Sequence, residues 1–342
     1  MTAIAVAFNV VGNSALCFAA TYALVLLACY VLRLGPGRLR LLFWLVPFVK
    51  VLWELGRGIP AQSFLWVHAL GARQDLGSFR LGFGVEAARP PFVRALLSAH
   101  SSGVTYSQSA ADLFYRALSI KASPLLPLVL VLVVAGVAIV RLARRVASIH
   151  SFRRRAADWV RTATPLAKEG AVRVYVSKEY RGAPFAAGVL HPYVLFSERS
   201  IEVLDEPARA AAIQHELSHV ERGDPLLITA LLLFSDVFWF LPRAGRLLAR
   251  IFAEIELCAD QRAVKRGASP VALADALVSV GEQLLANPLP APGLSAEKSL
   301  LRERVERLCR PPRGASRLRQ LTSLCCAALF ISSVLYSVFL GN

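Results

Sequence analysis

From Ala3 to Leu32 the chain carries no charged side chain; its first basic residue is Arg33. An apolar run of that length exceeds the roughly 20 residues a helix needs to cross a bilayer. Inside lipid every backbone N–H and C=O must be satisfied within the segment, so such a run is confined to a helix. A cleavable leader would need a basic stretch ahead of the apolar one, which is absent, so the run is read as a retained anchor. Three further stretches have the same character. Leu39 to Leu55 carries Trp44 and Trp53, with Lys50 and Glu54 near its far end, and Pro124 to Val140 is free of charge. Leu321 to Leu340 is also uncharged, and contains Cys325, Cys326 and Tyr336. A hydrophobic content of 56% over 342 residues fits four spans and exceeds that of an ordinary soluble enzyme.

Arginine in the short flanks orients the spans. Arg33, Arg38 and Arg40 fill the first connection, and Arg141, Arg144, Arg145, Arg153, Arg154 and Arg155 follow the third span. Arg302, Arg304, Arg307, Arg310, Arg313, Arg317 and Arg319 precede the fourth. All three clusters share one side if the four spans are real. Residues 1–55 then hold two transmembrane helices, 56–122 an extracytoplasmic loop and 123–140 the third helix. A cytoplasmic domain occupies 141–320, and 321–342 is the fourth helix with a short tail. Both termini lie outside a bacterial-type inner (plasma) membrane. Arginines in 56–122 break the rule, but a loop of that length weighs less. The net charge of +16 could indicate nucleic acid; its concentration at membrane edges, with no binding-module motif, points to anionic lipid instead. The six cysteines include no C-x-x-C pair, and no structural disulfide is expected.

Within the cytoplasmic part, Ile213 to Asp224 read IQHELSHVERGD. His215-Glu216-Leu217-Ser218-His219 is an H-E-x-x-H motif. On a helix, i and i+4 share a face, so both imidazoles reach one metal while Glu216 stands beside it. Zinc suits two imidazoles and one carboxylate, leaves a position for water and lowers that water's pKa. A glutamate can then take its proton as it attacks a peptide carbonyl. Asp205 or Glu206 caps this helix, Pro207 sits in its first turn and Gly223 ends it. Asp224 reads either as an N-cap for the next element or as an acceptor orienting a zinc histidine through its other ring nitrogen. The best candidate for the third protein ligand is Glu256, in EIELCAD (Glu254 to Asp260). Glu256 and Asp260 are i and i+4, so one can bind metal while the other braces a ligand. Glu254 points elsewhere, and Cys258 is read as a small buried side chain.

HELSHVERGD, the apolar stretch ending FWFLP (Phe238 to Pro242) and ELCAD together resemble the membrane zinc peptidases of the BlaR/MecR type, the beta-lactam-responsive antirepressors and their relatives. The resemblance covers about Val172 to Gly267 and the layout of spans. It implies an α-helical polytopic membrane protein with a cytoplasmic α+β zincin-type (HExxH) metallopeptidase domain. One Zn2+ per chain would be held by His215, His219 and Glu256, with Glu216 as base and Asp260 and Asp224 behind the ligands. It also implies a cytosolic protein substrate, most plausibly a winged-helix repressor, and self-cleavage in the cytoplasmic part. CAAX- and stress-type membrane peptidases share both motifs, so a housekeeping peptidase trimming membrane proteins is the alternative. A signalling scaffold with an idle site is the alternative of another class. The chain stops two residues past Leu340, where beta-lactam receptors carry a penicillin-binding sensor, so no such sensor is expected.

The remaining elements follow from pattern. Val172 to Val176 alternates as a strand, and Pro184 to Gly188 and Tyr193 to Phe196 suggest two more. An extended substrate could add to the edge of that sheet. His191, before Pro192, is a turn residue whose role as an oxyanion helper is the less favoured reading. Leu226 to Leu241 is apolar enough for a short span. A single crossing, however, would hold His219 and Glu256 about 30 Å apart, against metal bonds of about 2 Å. Residues 226–255 are therefore read as a membrane-apposed hairpin, with Asp236 turned into the protein. A helix is expected from Ser269-Pro270 to about Ala286, and a charged one from Ser295 to Cys309. Ser295-Ala296-Glu297-Lys298 matches S-x-x-K by accident, with no accompanying domain.

Overall fold

The computed structural model describes residues 2–56, 65–69, 79–83, 125–188, 191–286 and 294–310, with residue 332 besides. The apolar segment 321–340 lies almost wholly outside the described residues, as does most of 56–122. Within the latter, β1 (Leu65–Ala69) and β2 (Phe79–Phe83) pair as an antiparallel hairpin.

Two helices open the chain, α1 (Thr2–Val31) and α2 (Arg38–Gly56). They pack on each other through Phe18, Tyr22 and Val25 of α1 and Phe43, Phe48 and Val51 of α2, with Phe18 and Phe48 edge to face at 5.3 Å. Among the described residues one helix, over Val10–Val31, is long and apolar enough to cross a membrane by length and composition.

α3 (Leu125–Thr162) runs unbroken through the boundary expected at 141. Its first half exposes Leu130, Leu132, Val133, Ile139 and Val140, and its second half is rich in arginine. Neither Gly nor Pro interrupts it after Gly136, so nothing local stops the helix where its surface turns from apolar to basic.

A four-stranded sheet follows, formed by β3 (Thr164–Glu169), β4 (Val172–Ser177), β5 (Phe185–Ala187) and β6 (Tyr193–Ser197), in the order β3-β4-β6-β5. β4 and β6 are parallel and the other pairs antiparallel. The last three strands are those expected from the sequence; β3 was not foreseen. Gly188 closes β5 at φ 85°, where a Cβ would collide with the His191 carbonyl, so only glycine serves that turn.

The short α4 (Glu198–Glu202) leads into α5 (Glu206–Arg222), α6 (Asp224–Val237), α7 (Ala244–Lys265), α8 (Pro270–Ala286) and α9 (Leu294–Leu308). Two cores hold these elements. Val174, Val194 and Phe196 of the sheet pack on Ala208, Ala212 and Leu217 of α5 and Ala276 of α8. Leu247, Leu248, Ile251 and Ile255 of α7 join the first core, against α1 and α2. Small residues at the α5–α7–α8 junction, Ala211, Ala263 and Ala272, permit the close approach that brings α5 and α7 side by side. Burying a side chain such as Phe196 or Ile251, both fully inaccessible, contributes about 2–3 kcal/mol.

α6 and α7 form the helical hairpin expected over 226–255. At 14 residues α6 is about 21 Å long, short of the roughly 30 Å hydrocarbon layer. Asp236 near its end is buried and paired with Arg141 (3.1 Å) and Arg145 (2.7 Å) of α3.

Candidate active site

α5 forms as its sequence dictates at both ends. The Asp205 carboxylate accepts from the Ala208 N–H (2.9 Å), and Pro207 lies in the first turn, where a missing N–H does no harm. Gly223 adopts φ 68° and donates its N–H to the His219 and Val220 carbonyls, closing the helix. His215, Glu216 and His219 are all buried between those ends.

The two rings stand perpendicular, 85° apart, with Nε2 to Nε2 at 3.2 Å. Glu256 of α7 completes the group: Oε2 lies 3.5 Å from His215 Nε2 and Oε1 lies 3.7 Å from His219 Nε2. A tetrahedral ion with bonds of about 2 Å needs ligand atoms somewhat over 3 Å apart, and these separations fit it. The three residues form a group able to hold a metal ion.

The outward nitrogens are backed by carboxylates. His219 Nδ1 meets Asp224 Oδ2 at 2.8 Å, which leaves the Nε2 lone pair for an ion. Asp224 has two readings in the sequence, and its carboxylate is engaged here with His219 and with Arg222 (3.2 Å). Gly223 occupies the N-cap of α6, with no side-chain bond there. His215 Nδ1 lies 3.0 Å from Asp260 Oδ1, though out of line for a hydrogen bond. The Glu216 carboxylate hydrogen-bonds to no described residue, and its charge acts on Arg304 and on Tyr180.

One contributor escaped the sequence reading. Arg304 of α9 sends Nε and Nη2 to Asp260 Oδ2 (2.9 Å) and Oδ1 (2.8 Å), and Nη1 to Glu256 Oε2 (2.9 Å). It is 9% exposed amid arginines that face solvent. The available signal was its place on the apolar stripe of its helix, with Leu301 three residues before it and Leu308 four after. Glu254 does point away from the cluster: it pairs with Arg40 at 2.5 Å and accepts the Gly37 N–H, tying α7 to the start of α2. Cys258 is buried, and His191 is exposed.

Burial and charge pull the ionisable groups in opposite directions. Burial alone would lower the pKa of His215, but the carboxylates of Asp260 and Glu256 outweigh it and raise it to about 9. Burial would raise Glu256; the hydrogen bond with His215 and the charge of Arg304 hold it far below the usual carboxylate range. Asp260 is lowered in the same way, its burial overcome by the bond from Arg304.

A buried pair of helical histidines and a carboxylate from a neighbouring helix form a group that could hold a metal ion, with Glu216 next to His215 in the chain. The model of one family, described as BlaR1 peptidase M56, matches residues 10–308. The chain belongs to that family and is a peptidase. No curated protein matches it.

Proposed function

We propose that this protein is a membrane-embedded, zinc-dependent endopeptidase that cleaves a cytosolic transcriptional repressor, or itself, in signal-induced gene regulation. The observation that carries the reading is the convergence of His215, His219 and Glu256 around a point where Glu216 stands unpaired. His215, His219 and Glu256 would hold one zinc ion, which when bound acidifies water and polarises the scissile carbonyl. Glu216 takes the proton of the attacking water and returns it to the leaving amine. Among the described residues no side chain or backbone group hydrogen-bonds to its carboxylate, which suits a group that must exchange protons. Asp224 holds the His219 ring in orientation through Nδ1, and Asp260 stands 3.0 Å from His215 Nδ1. β5 is the edge strand lying beside α5, and an extended substrate would pair with it to present its carbonyl at the site.

The membrane setting in this proposal is four spans with both termini outside and the site at the cytosolic face of an inner membrane. It is supported by the apolar α1, by the exposed apolar first half of α3 and by the family itself.

The test is Glu216→Gln, assayed on a co-expressed repressor candidate and on the chain's own 267–319 segment. Shape and zinc content should persist while cleavage falls about 100- to 10,000-fold. Cleavage at the wild-type rate would assign the proteolysis to another enzyme and bring forward a non-catalytic scaffold.

A further inference from the structure

The metal cluster is backed by two matching chains of side chains. His219 leads to Asp224 and on to Arg222, whose Nη1 also donates to the Ile255 carbonyl at 3.0 Å. His215 leads to Asp260 and on to Arg304. The two arginines differ in origin. Arg222 comes from the last turn of the helix that carries both histidines. Arg304 comes from α9, and it alone of the two also touches a ligand carboxylate, at Glu256 Oε2.

Three carboxylates, Glu216, Glu256 and Asp260, act on the Arg304 guanidinium, which offsets their mutual repulsion. Its planar fork spans both oxygens of Asp260 and leaves Nη1 for one oxygen of Glu256. The other oxygen, Oε1, faces His219 Nε2 and stays available.

We propose that Arg304 is a positioning residue of the metal centre: it fixes Asp260 and one oxygen of Glu256, so that metal affinity depends on α9 being seated against α7. The proposal rests on the metallopeptidase reading above and adds to it an element outside the two ligand-bearing helices. α9 is held against α8 by a close approach, since a Cβ on Gly281 would lie 2.9 Å from Leu301 Cδ2. Whatever shifts α9 would therefore loosen the site without touching a ligand.

A competing geometry is present, because Nη2 also stands 3.2 Å from His215 Nε2, the atom an ion would take. If Arg304 were a competitor of the metal, removing it would tighten binding. The sign of the change separates the two.

The experiment uses the full-length protein in detergent, stripped with a chelator and titrated with Zn2+ against an indicator. Arg304→Gln should weaken affinity about 10- to 100-fold. Arg304→Lys, which keeps charge and volume but cannot fork, should weaken it nearly as far. Combined with Asp260→Asn, Arg304→Gln should cost less than the sum of the two alone, because they share the Asp260 contact and only the hold on Glu256 Oε2 is lost besides. Unchanged or tighter binding in Arg304→Gln overturns the proposal, and wild-type affinity in Arg304→Lys overturns it by reducing Arg304 to a bulk charge. Melting of chelated and loaded samples checks that each variant folds. His215→Ala is the control: if it keeps its zinc, the metal centre itself is misassigned, a failure distinct from that of Arg304.

Discussion

At the scale of single residues, His215, Glu216, His219, Glu256 and Asp260 were legible in the sequence for one reason. They sit on two helices at spacings of three or four, where helical geometry alone decides which side chains share a face. Asp224 was half legible, because an aspartate after a C-capping glycine serves equally well as a cap or as a partner. Its engagement by His219 and Arg222 is a fact of packing that no spacing reports. Replacing it with alanine leaves Arg222 without its carboxylate partner and frees the His219 ring to turn. Asp224→Ala should therefore weaken zinc binding about 10- to 100-fold in a chelator competition. His219→Ala, which removes the ligand itself, should abolish stoichiometric binding. Equal behaviour of the two would make Asp224 a ligand in its own right. Arg304 stayed hidden because its arginine neighbours make α9 look solvated all round. Only contact with α7 distinguishes it.

At the scale of elements, hydropathy found the helices and strands that bury a face and missed what backbone alone decides. β3, with sequence TPLAKE, shows no alternation and is almost wholly exposed. It is held by antiparallel pairing to β4, so side-chain pattern carries no trace of it. α3 shows the converse limit, since its surface changes character near Arg141 while its backbone does not. That continuity matters because Arg141 and Arg145 grip Asp236 of α6, and the Trp239 Nε1–H just beyond donates to the Val134 carbonyl at 3.1 Å. α3 is thus bound to the hairpin that leads from α5, which carries His215 and His219, to Glu256. Asp236→Ala removes the buried charge and leaves Arg141 and Arg145, 47% and 34% exposed, able to turn to water, whereas replacing both arginines by alanine leaves the buried Asp236 carboxylate without these two cations. The double arginine variant should lose more stability, on the order of 3 kcal/mol, against about 1 kcal/mol or less for Asp236→Ala. Thermal melts in detergent would show it, and equal losses would mean that the arginine pair does not anchor α3.

At the scale of the whole molecule, the arrangement of basic clusters carries more than the arginine rule by itself. Arg40, from the first connection, pairs with Glu254 of α7, and Arg145, from beyond the third apolar stretch, pairs with Asp236 of α6. Two arginine clusters distant in sequence thus meet acids of one hairpin, the hairpin whose far helix holds Glu256. In the proposed topology both clusters and the metal cluster lie on the same side of the bilayer. The bias of arginine towards cytosolic flanks would make that side the cytosol. A single cysteine replacing Ala157, an exposed position on the basic half of α3, should resist an impermeant thiol reagent in intact cells and react once they are opened. A cysteine replacing Gly103, in the segment expected outside, should react in intact cells. Both should be made in a background where all six native cysteines are replaced by serine or alanine, so that only the introduced thiol can respond. Labelling of the Ala157 position with protection at Gly103 would turn the molecule over, put the peptidase site outside the cell and remove every cytosolic repressor from the field of substrates.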